Sequence, residues 1–320
     1  MEKSVPKRRP IISDAIKTAV QRRSKDFLIR ALIHALLILL VFVIFFPFIA
    51  RISASFMSWN DMFDRTVVLV PREPTLDNFR MVIELTGYFR ALMGSFMVSG
   101  IAAILQMFVC AMAGYALAKL RGVSATIVMF LVVLTILIPP QVILVPLFLQ
   151  FRFFDIFGIV TMIRGEPLNL LDSIAPITIL SITGFGLKNG LYIFVMRQFF
   201  KGIPEELEEA AMIDGSGIFR TYLKVILPVS IPMMITIFIL AFSWQWTDVF
   251  YSGIFFSSFP VVSRAIFITP QLGGGATHNA YQINTLLHTG ALMAIAPIVI
   301  LFVIVQRWLV AGLERSGIVG

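Results

Sequence analysis

The chain has 320 residues, of which 58% are hydrophobic and 14% are charged, and its formal net charge at pH 7 is +8. A water-soluble domain carries about 45–50% apolar and about 25% charged residues, so this composition disfavours a soluble globule, a disordered protein and a coiled coil. It indicates a membrane protein.

Six apolar runs approach the ~20 residues that a helix needs to cross a bilayer. Each is expected to be helical, because lipid leaves backbone N–H and C=O groups without water as a partner. The predicted spans are residues 27–50, 91–118, 124–147, 173–196, 229–251 and 289–308. The sequence therefore predicts an all-α, polytopic membrane protein with six transmembrane helices.

The distribution of lysine and arginine indicates how these spans are oriented. Of the 26 basic residues, sixteen lie in segments assigned inside and eight in segments assigned outside, and eight of the sixteen precede the first span. Cytoplasmic loops carry the excess of basic residues in membrane proteins, so both termini are predicted to be cytoplasmic. The positive charge is then a topology signal, and no nucleic-acid partner is expected. For the basic N-terminal segment we expect attraction to anionic membrane lipid, with a partner-binding tail as the alternative.

These spans divide the chain into five predicted regions. They are a cytoplasmic N-terminal segment (1–26), a first transmembrane helix (27–50), an external loop subdomain (51–90), a core with five transmembrane helices and a cytoplasmic loop at 197–228 (91–310), and a cytoplasmic C-terminal tail (311–320).

Motifs for catalysis and metal binding are missing. There is no phosphate-binding loop and no H-E-x-x-H zinc pair, and the three histidines lack metal-ligand spacing. No catalytic residue, metal site or bound cofactor is predicted on this chain. An ion-coupled transporter usually buries acidic residues in its spans, whereas Asp248 is the only carboxylate inside a predicted span. Lys188 also lies within a span, where we expect it to snorkel toward the cytoplasmic interface, with a charge relay as the alternative.

The loop at 197–228 is predicted to contain two short helices joined by a hinge. Pro204 suits a first helical position, and the acidic residues that follow complement the N-terminal end of a helix dipole. Gly215 suits the left-handed turn that ends a helix. A second segment from 218 to 227 is predicted to end before Pro228.

The first of these helices is predicted to be a docking surface. Leu207, Ala210, Ala211 and Asp214 share one face at helical spacing. An amphipathic connector lying on the membrane is the alternative, but the acidity of the loop disfavours contact with an anionic leaflet and suits a basic groove on another protein.

The spacing in this loop resembles a known family. Glu209-Ala210-Ala211, three residues, Gly215, nine residues and then Val225-Ile226-Leu227-Pro228 is similar to the E-A-A-x3-G-x9-I-x-L-P loop of the membrane subunits of binding-protein-dependent ABC importers. The segments at 75–79, 114–122 and 306–313 resemble the carbohydrate-uptake branch of that family, the maltose-type permeases.

This resemblance implies the permease subunit of an ATP-driven importer of a sugar or oligosaccharide. It implies a second, homologous permease, two ATP-binding-cassette ATPase subunits that bind ATP and Mg²⁺, and an extracytoplasmic solute-binding protein. The implied ATPase-coupling residues are Glu205, Glu206, Leu207, Glu209, Ala210, Ala211, Asp214 and Gly215. A polyol or glycerophosphodiester is the alternative solute, and an ion-coupled secondary transporter is the alternative class.

Two further groups of residues are candidates for contact with other molecules. Hydrogen-bonding and stacking side chains in apolar spans suit a sugar pathway, although they also suit helix–helix bonding or a membrane interface. The pathway candidates are Asn189, Trp244, Gln245, Trp246 and Asp248. In the outer segment 255–288, a glycine run predicts a tip that contacts the binding protein, or else a flexible linker. The candidates there are Gly273, Gly274, Gly275, His278 and Asn279.

Overall fold

The computed structural model describes the backbone of residues 11–266 and 280–315, and the side chains of 25, 27–266 and 282–306. The described chain is helical, and its only β feature is an isolated antiparallel bridge between Phe154 and Leu168. The predicted all-α class is confirmed. The chain forms two compact units, Met1–Thr75 and Leu76–Gly320.

The first unit contains one long helix and one short one. Helix α1 (Ile11–Ser55) has an apolar stretch, Phe27–Ser55, that is long enough to cross a membrane. Helix α2 (Trp59–Phe63) begins after Ser58, whose side chain accepts a hydrogen bond from the amide of Asp61. This side-chain cap satisfies an amide that the helix itself cannot pair.

The second unit is built around a single long helix. Helix α3 (Asp77–Thr86) leads into α4 (Tyr88–Lys119), which has 32 residues. The helices that follow are α5 (Val123–Leu137), α6 (Pro140–Arg152), α7 (Ile159–Arg164), α8 (Ala175–Ile182), α9 (Asn189–Lys201), α10 (Glu206–Ile213), α11 (Ile218–Thr221), α12 (Leu227–Val229), α13 (Ile231–Thr247), α14 (Phe250–Phe255) and α15 (Ala280–Arg315). Helix α4 packs against α8, α9 and α13.

Close packing of α4 on α9 depends on a glycine. A Cβ atom on Gly114 would lie 2.6 Å from the Cβ of Met196 and 3.0 Å from the backbone nitrogen of Arg197. Small residues allow helix backbones to approach in this way within a membrane. Tyr192 and Met196 of α9 are fully buried at this contact, together with Met233 and Ile237 of α13.

The predicted span 124–147 is interrupted at Pro139-Pro140, where the sequence predicts a kink or an unwound turn. Helices α5 and α6 meet at an angle of 97°. Ile138 has an extended conformation, because a residue that precedes proline is disfavoured in the α region, and Pro139 and Pro140 then start the next helix. The proline pair therefore acts as a sharp corner rather than a mild kink.

The prediction of one continuous helix at 173–196 is wrong. Helix α8 ends at Ile182 and α9 begins at Asn189. Between them Gly184 has φ +83° and Lys188 has φ +64°, both in the left-handed region that terminates right-handed helices. The sequence of this segment is apolar enough to be read as one span, but its backbone unwinds in the middle.

The second part of the 197–228 loop runs further than predicted. A π-helical turn, Tyr222–Ile226, joins α11 to α12, and the helical path continues through Pro228 to Val229. Pro228 lies in the first turn of α12. The prediction that this segment ends before Pro228 is therefore wrong. Residues Ile218–Val229 meet α13 at 74°.

Three helical segments of the described chain are long and apolar enough to cross a membrane: Phe27–Ser55, Tyr88–Lys119 and Gln282–Gln306. The two bent pairs, Val123–Leu137 with Pro140–Arg152 and Ile218–Val229 with Ile231–Thr247, reach that length only when each is counted as one span. Six crossings are compatible with this structure: the three long segments, the two bent pairs, and the discontinuous α8 and α9 counted together.

Candidate coupling surface and substrate pathway

The acidic helix α10 has a defined beginning and end. Glu206, Glu208 and Glu209 lie in its first turn, where carboxylates stabilise a helix N-terminus. At its other end the amide of Gly215 donates to the carbonyl of Met212 at 3.0 Å, and the amide of Ser216 donates to that of Ala211 at 3.0 Å. Gly215 has φ +80°, so the predicted left-handed turn is confirmed. These two bonds form a Schellman motif.

Glu208 attaches this helix to the end of α4. Its Oε1 lies 2.9 Å from the Nζ of Lys119, and the two side chains are only 10% and 34% exposed. A second, exposed pair joins Arg121 to Glu205 at 3.4 Å. Sequence reasoning left Glu208 out of the coupling set. The signal that could have revealed it is its spacing with Ala211, three residues later, which places both on the inward face of α10.

The predicted docking face is only partly on the surface. Ala211 is buried, whereas Leu207, Ala210 and Asp214 are exposed. Glu205, Glu206 and Glu209 are also exposed, as is Gly215. The structure therefore places seven of the eight predicted coupling residues where another molecule can reach them.

Large apolar side chains accompany the acidic residues around α10. Ile213 is 86% exposed, and Met212, Ile218 and Phe219 are also exposed. We call these four residues the α10–α11 apolar surface. An acidic helix beside exposed apolar side chains is suited to a protein partner, since charge steers the encounter and apolar area is buried on contact.

The pathway candidate Asn189 lies at the break between α8 and α9, against α4. Its side chain is buried, and neither its Nδ2 nor its Oδ1 has a hydrogen-bond partner. A Cβ on Gly186 would lie 2.5 Å from Nε2 of Gln106 and 3.2 Å from Oδ1 of Asn189, so the two amides meet at this glycine. Gln106 donates to the hydroxyl of Ser181 at 3.4 Å, and its Oε1 is unpaired. We call Gln106, Ser181 and Asn189 the polar break.

The candidate Trp244 is linked to the same break through Lys188. The Nζ of Lys188 lies 4.7 Å from the centroid of the Trp244 ring. This distance is typical of a cation–π interaction. The next residue, Gln245, is buried with its Nε2 unpaired.

The other two pathway candidates have partners within the protein. Trp246 is buried, and its Nε1 donates to the carbonyl of Ala294 on α15 at 3.0 Å. Asp248 accepts hydrogen bonds from the amides of Phe250, Tyr251 and Ser252 at 3.2, 3.3 and 2.9 Å. The Trp246 hydrogen bond attaches α13 to α15, and the Asp248 hydrogen bonds cap the start of α14. Both side chains therefore have structural roles.

The glycine run and its neighbours, with His278 and Asn279, lie outside the described residues. The described start of that outer segment is fixed by Asp172. Its Oδ1 accepts from the amides of Ser257, Ser258 and Phe259 at 3.0, 2.8 and 2.7 Å, and its Oδ2 accepts from the Ser258 hydroxyl. The Ser258 hydroxyl, followed by the backbone amides, holds the pKa of Asp172 well below its usual range. Sequence reasoning did not find this contact.

A shallow cavity of about 340 Å³ lies between α5 and α9, away from the pathway candidates. It is lined by Thr126, Met129, Phe130 and Val133 on α5 and by Arg197 on α9. The Nε of Arg197 donates to the carbonyl of Leu117 at 3.2 Å, which adds a further tie between α9 and the end of α4.

Residues 106–316 match the model of the family described as "Binding-protein-dependent transport system inner membrane component". The chain belongs to this family. This match confirms the prediction, made from the sequence, of a permease subunit of a binding-protein-dependent importer located in a membrane.

Two relatives in this family carry the names of carbohydrate systems. The chain is 30% identical over 279 residues to the sulfoquinovosyl glycerol transport system permease protein SmoH of Agrobacterium fabrum, covering 86% of this chain and 89% of that one. It is 28% identical over 289 residues to the arabinooligosaccharides transport system permease protein AraQ of Halalkalibacterium halodurans, covering 88% and 93%. A solved bacterial ABC transporter involved in import of the acidic polysaccharide alginate contains a chain with the same fold, at a TM-score of 0.67 and 21% identity, covering 88% of this chain and 97% of that one.

Proposed function

We propose that this chain is one permease subunit of an ATP-driven, binding-protein-dependent importer, and that the imported solute is a sugar or an oligosaccharide. Family membership supports the transport role, and the names of SmoH and AraQ support a carbohydrate. The single structural observation that carries the proposal is α10, an acidic helix that is closed by a Schellman motif and lies beside the α10–α11 apolar surface.

In this proposal α10 docks in a groove of an ATPase subunit. Its exposed carboxylates, Glu206 and Glu209, face basic groups of that groove, and Ile213 and Phe219 are covered by it. The ion pair between Lys119 and Glu208 then transmits motion of the docked helix to α4, against which α9 and α13 pack.

The proposed assembly contains this chain, a second homologous permease, two ATPase subunits that bind ATP and Mg²⁺, and an extracytoplasmic solute-binding protein. The chain itself performs no ATP hydrolysis. It lies in a bacterial or archaeal cytoplasmic membrane with both termini in the cytoplasm, as the distribution of basic residues favours. The polar break and Trp244 line the solute pathway.

Uptake by the purified assembly in proteoliposomes tests this function. We expect accumulation of a labelled sugar when ATP is enclosed and the loaded binding protein is outside, none with a non-hydrolysable ATP analogue, and no effect of an ionophore that collapses ion gradients. Uptake that requires an ion gradient and proceeds without ATP would instead establish a secondary transporter.

The solute itself is best identified on the cognate binding protein. A thermal-shift screen against neutral sugars, acidic sugars, polyols and glycerophosphodiesters reports binding as an increase in melting temperature. Stabilisation by a glycerophosphodiester alone would favour the alternative solute class over a sugar.

A further inference from the structure

Lys188 occupies an unusual position for a cationic residue. It is half-buried, it lies at the break between α8 and α9 with φ +64°, and it precedes the N-terminus of α9. Left-handed backbone is unfavourable for a lysine, and a positive charge is unfavourable at a helix N-terminus. Lys188 therefore combines two unfavourable features, a left-handed backbone and a positive charge at a helix N-terminus. Neither feature is needed to end α8, because Gly184 already ends it.

Lys188 lies deep in the predicted span and its ammonium group lies over Trp244, which argues against the snorkelling expected from the sequence. Gly186, two residues earlier, packs against Gln106, which lies near the middle of the 32-residue α4. A helix of that length extends beyond the ~30 Å apolar layer at both ends, so its middle lies near the bilayer centre. From there a lysine side chain is too short to reach either interface, and its ammonium group lies instead over Trp244.

The charge of Lys188 is not compensated within the described chain. The ion pairs found there join Arg72 to Asp64, Arg80 to Asp77, Lys119 to Glu208 and Arg121 to Glu205. A charged residue at the centre of a membrane helix is energetically unfavourable, and such residues face a bundle interior or a water-filled cavity. An unpaired cation at this depth therefore indicates a site that receives an anion.

Lys188 is surrounded by a partly exposed aromatic ring and by polar side chains. Trp244 is 46% exposed although it lies in an apolar helix. Asn189, which is only 2% exposed, and Gln106 both have amide atoms without partners. Buried polar groups are nearly always hydrogen-bonded, so partners for these amides are expected from outside the described chain. In the proposed assembly this face of α9 and α13 borders the solute pathway.

We propose that Lys188 and Trp244 form a binding site for an acidic carbohydrate within the membrane. The indole face of Trp244 stacks on the sugar ring, and the ammonium group of Lys188 pairs with a carboxylate, sulfonate or phosphate on the solute. In the absence of solute, the aromatic ring holds the ammonium group in place. This inference rests on the proposed function and specifies its solute as anionic, whereas the transport role itself is independent of solute charge.

Binding to the assembled importer in nanodiscs, without the binding protein, tests the site directly. Isothermal titration is carried out with and without a non-hydrolysable ATP analogue, using two matched pairs of probes. Digalacturonate is compared with neutral galactobiose, and sn-glycerol 3-phosphate with glycerol, so that carboxylate and phosphate recognition are distinguished. We expect at least one acidic probe to bind at least tenfold more tightly than its neutral partner, which corresponds to about 1.4 kcal/mol.

The variants separate charge recognition from structure. Lys188→Gln should lower the affinity for the acidic probe tenfold or more and the affinity for the neutral probe less than twofold. Lys188→Arg should keep the affinity for the acidic probe within about threefold of the wild type. Trp244→Ala should lower the affinity for both probes of a pair, because stacking on the indole ring does not depend on the charge of the probe. Arg80→Gln removes an exposed cation from α3 and should leave the binding of both probes unchanged. Size-exclusion elution of each assembled variant verifies folding.

The proposal is overturned if neither acidic probe binds the wild-type assembly in either nucleotide state, or if Lys188→Gln weakens acidic and neutral probes equally. ATP-driven uptake of an acidic sugar without any dependence on Lys188 would overturn this inference and leave the proposed function intact. Binding of an acidic probe that depends on Lys188, in an assembly without ATP-driven uptake, would support this inference and contradict the proposed function.

Discussion

The ammonium group of Lys119 and the carboxylate of Glu208 lie 2.9 Å apart and join the end of α4 to α10. The carboxylate is nearly buried, so solvent screens this pair less than it screens Arg121 and Glu205. Displacement of α10 should therefore be transmitted to α4 by an ion pair as well as by the chain that connects them.

Breaking this pair should uncouple transport from ATP hydrolysis. A charge-assisted hydrogen bond contributes about 1.5–3 kcal/mol, so Glu208→Gln should reduce sugar uptake several-fold per ATP hydrolysed. The exchanged double variant, Lys119→Glu with Glu208→Lys, should recover part of the loss. The matched exposed change Glu205→Gln should have a smaller effect. A Glu208→Gln assembly with an unchanged ratio of uptake to hydrolysis would contradict this role.

The turn at Gly215 should tolerate only residues that adopt left-handed backbone. A Cβ at this position meets no atom within 4 Å, so the cost of substitution comes from the backbone alone, about 1–2 kcal/mol and more for a β-branched residue. Gly215→Val should lower uptake while membrane insertion persists, and Gly215→Asn should be milder.

Gly217 provides the control for this turn. It is equally open, since an added Cβ would meet no atom within 4 Å, but its φ of −72° is acceptable to any residue. Gly217→Val should therefore leave uptake close to that of the wild type. Equal effects of valine at the two positions would show that side-chain bulk, and not backbone conformation, determines the result.

The contact between α4 and α9 should fail when Gly114 acquires a side chain. Gly114→Ala places a methyl group against the backbone of α9, and such overpacking typically costs about 1–3 kcal/mol. The melting temperature of the detergent-solubilised assembly should fall. Gly100→Ala, in the same helix but with nothing within 4 Å, should leave it unchanged or raise it. A similar loss in both variants would argue against this packing.

Asp172 should hold the segment at 257–259 throughout the neutral and mildly acidic range. Its pKa is lowered on folding, so its contribution to stability is complete above the unfolded value of about 3.9 and is lost only as the pH falls through the folded pKa. Hydrogen exchange of these amides, corrected for intrinsic rates, should therefore show constant protection from pH 5 to pH 8.

Substitution of Asp172 should remove that protection at every pH in this range. Asp172→Asn is expected to accelerate exchange at 257–259. Asp155 is a matched control, since its carboxylate accepts from the amides of Val160 and Thr161 and its pKa is lowered as well. Asp155→Asn should leave exchange at 257–259 unaffected. Protection that varies with pH in the wild type would mean that another group titrates there.

The unpaired amides allow a pathway role to be separated from a structural one. Both polar atoms of the Asn189 amide are buried without partners, so Asn189→Ala should retain or raise the melting temperature. In Gln245 only Nε2 is unpaired, so Gln245→Ala should lower the melting temperature little. They should nevertheless change the uptake of one sugar more than another. A drop in melting temperature with equal loss for all sugars would assign these side chains to helix–helix bonding instead.

Local signals explain what could be predicted from the sequence. Pro204, the acidic residues after it and Gly215 act within a few residues of the backbone that they shape, so the position and end of α10 could be inferred without tertiary information. The apolar runs likewise indicated which segments enter a membrane, because hydrophobicity alone determines that preference.

Relationships between distant residues could not be inferred in this way. Asp172 binds amides 85–87 residues further along the chain, and Glu208 is turned inward by Lys119. The break before Asn189 was hidden, since Gly184 and Gly186 in an apolar run are compatible with a continuous helix. The contact of Lys188 with Trp244 depends on that break, so the cationic site was not visible from the sequence.

The discontinuous helices have a consequence for the biogenesis of the protein. Helices α5, α6 and α9 have 15, 13 and 13 residues, each below the ~20 that favour independent partitioning from the translocon into lipid. Helix α4 has 32 residues and is long enough to partition into lipid on its own. Nascent α4 should enter the bilayer before these helices and then retain the short segments as they leave the ribosome, so the order of synthesis favours the order of assembly.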